Sequence, residues 1–217
     1  MTVGDRIKSS LADRDPGRRG SFFSAFSGLA KDVYSGASSN VRGMLTAVYG
    51  LTNRGGVDTR AAAKDLGVSQ RTVQRWIADD KRQHNKPRKG HLSKLQGKAK
   101  RAPTTKRGRR AAVSVAKQSA KGRSAQSRKG KLNVRGKQGV YAGKDGKKNY
   151  YVRYRTAHMD VNPDQMNAMW AAYADGGDKG LSAWLHEHSQ DYVDDWHFES
   201  IDGIEWSAEN DMPSWER

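Results

Sequence analysis

The chain has 217 residues, 35% of them hydrophobic, and contains no cysteine. That excludes disulfides, cysteine-ligated zinc and cysteine nucleophiles, and so modest an apolar share favours two small cores over one large one. The net charge of +17 is unevenly spread: Lys and Arg stand against Asp and Glu as 12 to 8 over residues 1–80, 26 to 1 over 81–155 and 2 to 14 over 156–217. A middle segment so one-signed repels itself. It is expected to stay extended until a polyanion neutralises it, with counterion release making that binding salt-sensitive and indifferent to sequence.

Residues 1–39 are rich in Gly, Ser, Asp and Arg and read as an N-terminal arm. Phe22, Phe23 and Phe26 fall at i, i+1 and i+4, which puts them on one face of a short docking helix or frayed arm. No apolar h-region follows Met1–Arg19, and residues 22–30 are too short and too Ser/Gly-rich for a signal peptide or a membrane span. The expected protein is cytoplasmic and nucleoid-associated, with no membrane partner.

Residues 40–85 carry the most specific pattern, Asp58-TRAAAKDLGVSQRTVQRWIADD-Lys81. A helix-turn-helix needs a small residue where its helices cross, and Ala63 supplies it. Four positions later the turn needs a residue free to take positive φ, and Gly67 stands there. Ala62, Leu66, Val68, Val73 and Trp76 occupy inward positions, while Asp58 or Thr59 and Ser69 suit the two N-caps. Ser69, Gln70, Arg71, Thr72, Gln74 and Arg75 then project outward, with Lys81 and Arg82 just beyond. Arg and Gln read guanine and adenine edges bidentately in the major groove, and Ser69 and Thr72 suit phosphates or bases at the helix N-terminus. Arg42, Met44, Leu45, Val48 and Tyr49 belong to a preceding helix that braces the pair. The plainer reading is a helical hairpin with a polar outer face.

Residues 86–130 nearly lack large apolar side chains and read as a flexible basic linker, with Arg107, Arg109 and Arg110 among its phosphate contacts. Residues 131–207 read as a small β-β-α-α-β domain followed by a tail over 208–217, so the whole chain is α+β. Leu132, Val134, Val140 and Tyr141 mark a strand, Asp145-Gly146 a hairpin turn, and residues 149–159 a second strand. Tyr150, Val152 and Tyr154 share one face of that strand. Tyr151, Arg153 and Arg155 share the other, a cationic face able to stack single-stranded bases. Asn162-Pro163 opens a helix with an apolar stripe at Met166, Met169, Trp170 and Tyr173, ended by Gly176-Gly177. A second helix runs from about Lys179 to Val193 with Leu181, Trp184, Leu185, His188 and Tyr192 at helical spacing. Trp196, Phe198, Ile201, Ile204 and Trp206 form a last strand, or a strand with a turn at Asp202-Gly203.

Catalytic and metal chemistry finds little support. His186 and His188 are two apart on a helix and face apart, and the Asp191, Asp194 and Asp195 cluster has no nucleophile beside it. No phosphate-cradling loop or serine elbow occurs. Neither a cofactor nor an enzymatic activity of the chain's own is expected.

The Leu66-GVSQRTVQRW-Ile77 run, the following basic stretch, Arg153 and Arg155 as an R-x-R strand, the Asn162-Pro163 helix start with Met166, the Gly177-Asp178 break, the paired helix ending near Tyr192, and Phe198, Ile201 and Ile204 together carry a family resemblance. Over about residues 45–206 the chain resembles the telomere terminal proteins of linear actinobacterial chromosomes and plasmids. The resemblance implies duplex DNA and single-stranded DNA ends as ligands, and a DNA polymerase and a telomere-associated protein as partners. It further implies a threonine hydroxyl, in the loop before the R-x-R strand, that receives the first nucleotide. The matching loop here, residues 144–148, holds no hydroxyl. The nearby candidates are Tyr141, Tyr150, Tyr151 and Thr156, with Thr104 and Thr105 further off. Two other readings of the same residues stay open. One is a transcriptional repressor or plasmid replication regulator acting as a homodimer on a palindromic site. The other is a nucleoid or virion component that condenses DNA.

Overall fold

The computed structural model describes residues 22–36, 38–142, 149–189, 196–209 and 211–216. The fold is α+β, with eight helices and one three-stranded antiparallel sheet among the described residues. Two compact units divide it: residues 27–118, and residues 22–26 together with 119–216. The Asp145-Gly146 turn, loop 144–148, Tyr192, the cluster Asp191, Asp194 and Asp195, and most of the N-terminal arm lie outside the described residues. No helix among them is long and apolar enough to cross a membrane.

The described part of the unit 27–118 is built of helices, with one isolated antiparallel bridge between Leu51 and Val57. Asn40 caps helix α2 (Val41–Tyr49) by accepting from the Gly43 amide at 2.9 Å. Its inner face, Met44, Leu45, Ala47 and Val48, is buried. Helices α3 (Thr59–Leu66) and α4 (Gln70–Trp76) follow, then α5 (Lys89–Arg101) and α6 (Lys106–Gln118). The last two overturn the expectation of a flexible segment over residues 86–130. Leu95 and Ala99 on α5, and Ala111, Ala112 and Val113 on α6, are buried in helices that pack on α2. Small side chains let helix backbones approach closely, so a core forms without the large apolar residues a sequence search looks for. Most of the cations sit on the other faces, exposed to water, while Lys98, Arg109 and Lys117 are half-buried. Ser114 links α6 to the turn after α2, accepting from the Leu51 amide at 2.8 Å and donating to the Ala111 carbonyl at 2.7 Å.

In the second unit, helix α1 (Phe23–Ser27) brings Phe22, Phe23 and Phe26 into the core, where Phe26 stacks on Tyr173 with ring centroids 4.2 Å apart. The three phenylalanines therefore act as a docking helix. Helix α7 (Ala120–Ala125) precedes β1 (Gly130–Ala142), and β2 (Asn149–Val161), α8 (Pro163–His188) and β3 (Trp196–Ser207) complete the unit. The sheet order is β2-β1-β3, so β1 is central and β2 is an edge. A reciprocal capping box between Asn162 and Gln165 starts α8. Gly177, at φ 63° and ψ −147°, breaks its helical path where the Gly-Gly pair predicted an end. Asp202-Gly203 lies within β3, not at a turn; the irregularity there is a register shift opposite Arg135 and Gly136.

Leu132, Val134, Ala157, Met159, Val161, Phe198, Ile201 and Trp206 on the sheet, with Met166, Met169, Trp170, Tyr173, Leu181, Trp184 and Leu185 on α8, are buried. The C-terminal segment crosses the opposite sheet face. Ser214 donates to Glu205 from its amide at 2.7 Å, and a Cβ on Gly203 would lie 2.9 Å from the Trp215 ring. Burial raises the Glu205 carboxyl, but hydrogen bonds from Lys121 and Ser214 outweigh it and hold the group below its ordinary range.

Candidate nucleic-acid interface

The α3–α4 pair is built from local signals. Asp58 accepts from the Ala61 amide at 2.9 Å and caps α3, which ends at Gly67 with φ 71° and ψ 37°. That left-handed conformation costs an L-residue energy and glycine nothing, so the chain turns there within three residues. Ser69 then caps α4, accepting from the Thr72 amide at 3.1 Å. Ala62, Ala63, Leu66, Val73 and Trp76 are buried, and Val68 is half-buried.

What remains outside is Gln70, Arg71, Gln74 and Arg75, all exposed. Two expected contacts are already engaged: the Ser69 hydroxyl lies 2.8 Å from that of half-buried Thr72, and Gln70 donates to Thr59 at 3.1 Å. Arg71, Gln74 and Arg75 line one side of an open polar cleft of about 740 Å³, whose other side is Arg82, Gln83, His84 and Asn85. The loop after α4 makes this cleft by folding back, with the Asn85 amide donating to the Arg75 carbonyl at 3.0 Å. Arg42 anchors the same loop through Asp79 at 2.6 Å. Sequence reasoning missed Gln83, His84 and Asn85, because a loop's path carries no periodicity, and gave Arg42 only as part of the bracing helix. Lys81 is exposed beside the cleft.

The basic helices hold the other expected cations. Arg107 is tied down, 2.9 Å from Asp65 and with its guanidinium 6.0 Å from the Tyr49 ring centre. Lys98 reaches the same carboxylate at 2.9 Å, and the Tyr49 hydroxyl donates to it at 2.8 Å. Four helices thus meet on one anion. Burial pushes Asp65 up, but hydrogen bonds from Lys98, Tyr49 and Arg107 outweigh it and hold the carboxyl at about 2. Burial, then Asp65 itself, pushes the Tyr49 phenol well up. Arg109 donates to the Thr104 carbonyl at 3.0 Å, and Arg110 is exposed. Residues 27–118 hold twenty-one Lys and Arg against five Asp and Glu, a net +16.

Arg153 and Arg155 belong to the other unit, exposed on edge strand β2. The hydroxyl candidates are scattered. Thr104 and Thr105 donate to the Arg101 and Ala102 carbonyls, Tyr150 donates to Glu199, and Thr156 is half-buried. Tyr151 is 45% exposed. The side chain of Tyr141 lies outside what the structure describes. His188 stacks on Trp184, ring centroids 4.0 Å apart, and no group of three metal-binding side chains occurs among the described residues. Compared with protein-family models, with curated proteins and with solved structures, the chain matches none of them.

Proposed function

We propose that residues 27–118 bind duplex DNA, with α3 and α4 as a helix-turn-helix whose second helix enters the major groove. The observation that carries this is the outer face of α4: Arg71, Gln74 and Arg75, exposed and free of acids, at the mouth of a cationic cleft. Arg71 and Arg75 supply bidentate donors for base edges, and Gln74 both donates and accepts. Arg82, Arg110 and the outward cations of α5 and α6 supply the phosphate contacts that set register and affinity. The capped N-terminus of α4 adds a favourable field for an approaching phosphate.

The biological setting we propose is maintenance of a linear replicon, in the manner of the terminal proteins the chain resembles. Tyr151 is the best-placed priming hydroxyl of the candidates because its side chain is exposed on the strand that holds Arg153 and Arg155. DNA binding is tested by selection from a random duplex pool, followed by affinities of Arg71→Ala and Arg75→Ala on the selected site. Each substitution is expected to cost about 1–3 kcal/mol and to relax preference at one base pair. Equal losses on selected and scrambled duplex would refute base reading. The terminal-protein role is tested by intact mass of protein from its native host after nuclease digestion. A nucleotide remnant on one hydroxyl supports it, and an unmodified mass in protein recovered from DNA refutes it.

A further inference from the structure

The three-stranded sheet has two edges, and they differ. On β3 the pairing with β1 is interrupted by register shifts at Arg135/Gly136 and Lys137/Gln138, and helix α7 packs against the strand. β2 pairs with β1 along its whole length with no shift, and no other described strand lies on its far side. Residues 149–155 of β2 are exposed on both faces, before the strand runs into buried Ala157, Met159 and Val161. Sheets protect an edge with bulges, prolines or a covering element, because unpaired main-chain groups accept any strand that fits. Residues 149–155 have neither bulge nor proline.

The tyrosines leave that edge open. Tyr150 crosses β1: a Cβ on Gly139 would overlap its ring, and its hydroxyl donates to Glu199 on β3. Tyr154 leans the same way, bonded to Asp202 on β3, which pushes its phenol up, with the Arg135 guanidinium of β1 5.2 Å from its ring centre. Both side chains reach inward over the sheet and leave the outer main chain of β2 bare. Charge narrows the choice of occupant. Residues 119–216 carry thirteen Lys and Arg against fifteen Asp and Glu, a net −2. This unit therefore meets a copy of itself without the repulsion that +16 imposes on residues 27–118, and no net field draws a polyanion to it.

We infer that residues 149–155 of β2 pair antiparallel with the same residues of a second copy, about a two-fold axis at Val152, joining two three-stranded sheets into one. In that register Tyr150 lies opposite Tyr154 of the second copy, Tyr151 opposite its Arg153, and Asn149 opposite its Arg155. Aromatic pairs and arginine–tyrosine pairs are favourable across strands, and no two cations face each other directly. Moving the axis one residue, to Arg153, sets Arg153 against itself, so the arginines select the register. Seven paired residues on each copy exchange roughly six to eight main-chain hydrogen bonds. The contact falls in the small class, below about 1,200 Å², which suits reversible association in the micromolar range. Side chains stand out from a sheet, so pairing at the edge flanks Tyr151 without covering it. The inference rests on the sheet alone and is independent of the duplex site on α4.

The test is sedimentation of the full chain, with and without nuclease treatment, from about 1 μM to about 200 μM. A reversible dimer is expected. Added salt should not weaken it, because the charges it brings together are alike, whereas salt loosens duplex binding. Val152→Lys sets two cations against each other on the axis and should weaken the dimer about tenfold. Its melting temperature should stay that of the parent, since Val152 is 46% exposed. The chain has no cysteine, so Val152→Cys offers a single thiol through which mild oxidation should link two copies. Arg155→Cys is the control on the same strand: it lies about 20 Å from its own copy and should stay unlinked. Arg71→Ala with Arg75→Ala should lose duplex preference and still dimerise, so the two sites fail separately. A parent that stays monomeric throughout would overturn the inference, as would an undiminished dimer in Val152→Lys or equal cross-linking of the two cysteine variants. A dimer lost on nuclease treatment would also overturn it, since nucleic acid would then be what bridges the copies.

Discussion

Replacing Asp65 with asparagine removes the anion on which α2, α3, α5 and α6 converge. The carboxyl is held at about 2 instead of the 3.8 of an unconstrained aspartate. At about 1.4 kcal/mol per pKa unit, a depression of that size corresponds to roughly 2.5 kcal/mol. The Asp65 side chain is 24% exposed and Arg107 58%, so water screens part of the attraction and about 1–2 kcal/mol is expected at neutral pH. The sign follows from the direction of the shift: a depressed carboxyl contributes stability above its unfolded pKa and loses it as pH falls through the folded one. The contribution is therefore complete at pH 7 and disappears between about pH 4 and pH 2. Hydrogen exchange read on peptides from α2, α5 and α6 localises the effect, which a single unfolding curve for a two-unit chain does not. Asp65→Asn should lower protection in all three helices together at neutral pH, and its urea midpoint should converge on the parent's as pH is lowered below 4. Unchanged protection at pH 7, or a midpoint difference that persists down to pH 2, would refute the claim that this carboxylate holds the helices. Because the variant gains one unit of positive charge, its binding to non-specific duplex should not weaken while it stays folded.

Three further outcomes are expected. Gly67→Ala meets no atom within 4 Å, so its cost is the left-handed backbone alone, about 1 kcal/mol, and Gly67→Asn should recover part of it; thermal melts of the two variants compare them. Ser69→Ala loses the α4 cap and should cost about 1 kcal/mol, with faster amide exchange at Thr72 as its signature. Leu95→Ala opens a fully buried position and should cost about 2–5 kcal/mol, while in the parent the amides of residues 89–118 should be protected without DNA; rapid exchange there in the free protein would refute the packed basic helices.

What could be read from the chain alone was local. Asp58, Gly67 and Ser69 each act within a few residues of themselves, so the caps and turn of α3 and α4 are legible as spacing. The same holds for Asn162-Pro163, for the stripe Met166, Met169, Trp170 and Tyr173, and for the break at Gly177. Net charge likewise pointed to a polyanion before any element was placed. The tertiary structure decided the rest, because the deciding contacts join residues far apart in sequence. Arg107 looked like one more phosphate-binding cation until the fold set it, together with Lys98, against Asp65. Residues 86–130 looked unable to pack because alanine, glycine and serine carry little apolar surface, yet helices lined with them close tightly on α2 and need no large side chains. Period-two alternation separated Tyr150 and Tyr154 from Tyr151 and Arg153, but alternation is symmetric about the strand. Only the burial of Ala157, Met159 and Val161 on one face, and the C-terminal segment crossing the other, showed which face of the sheet turns toward the core.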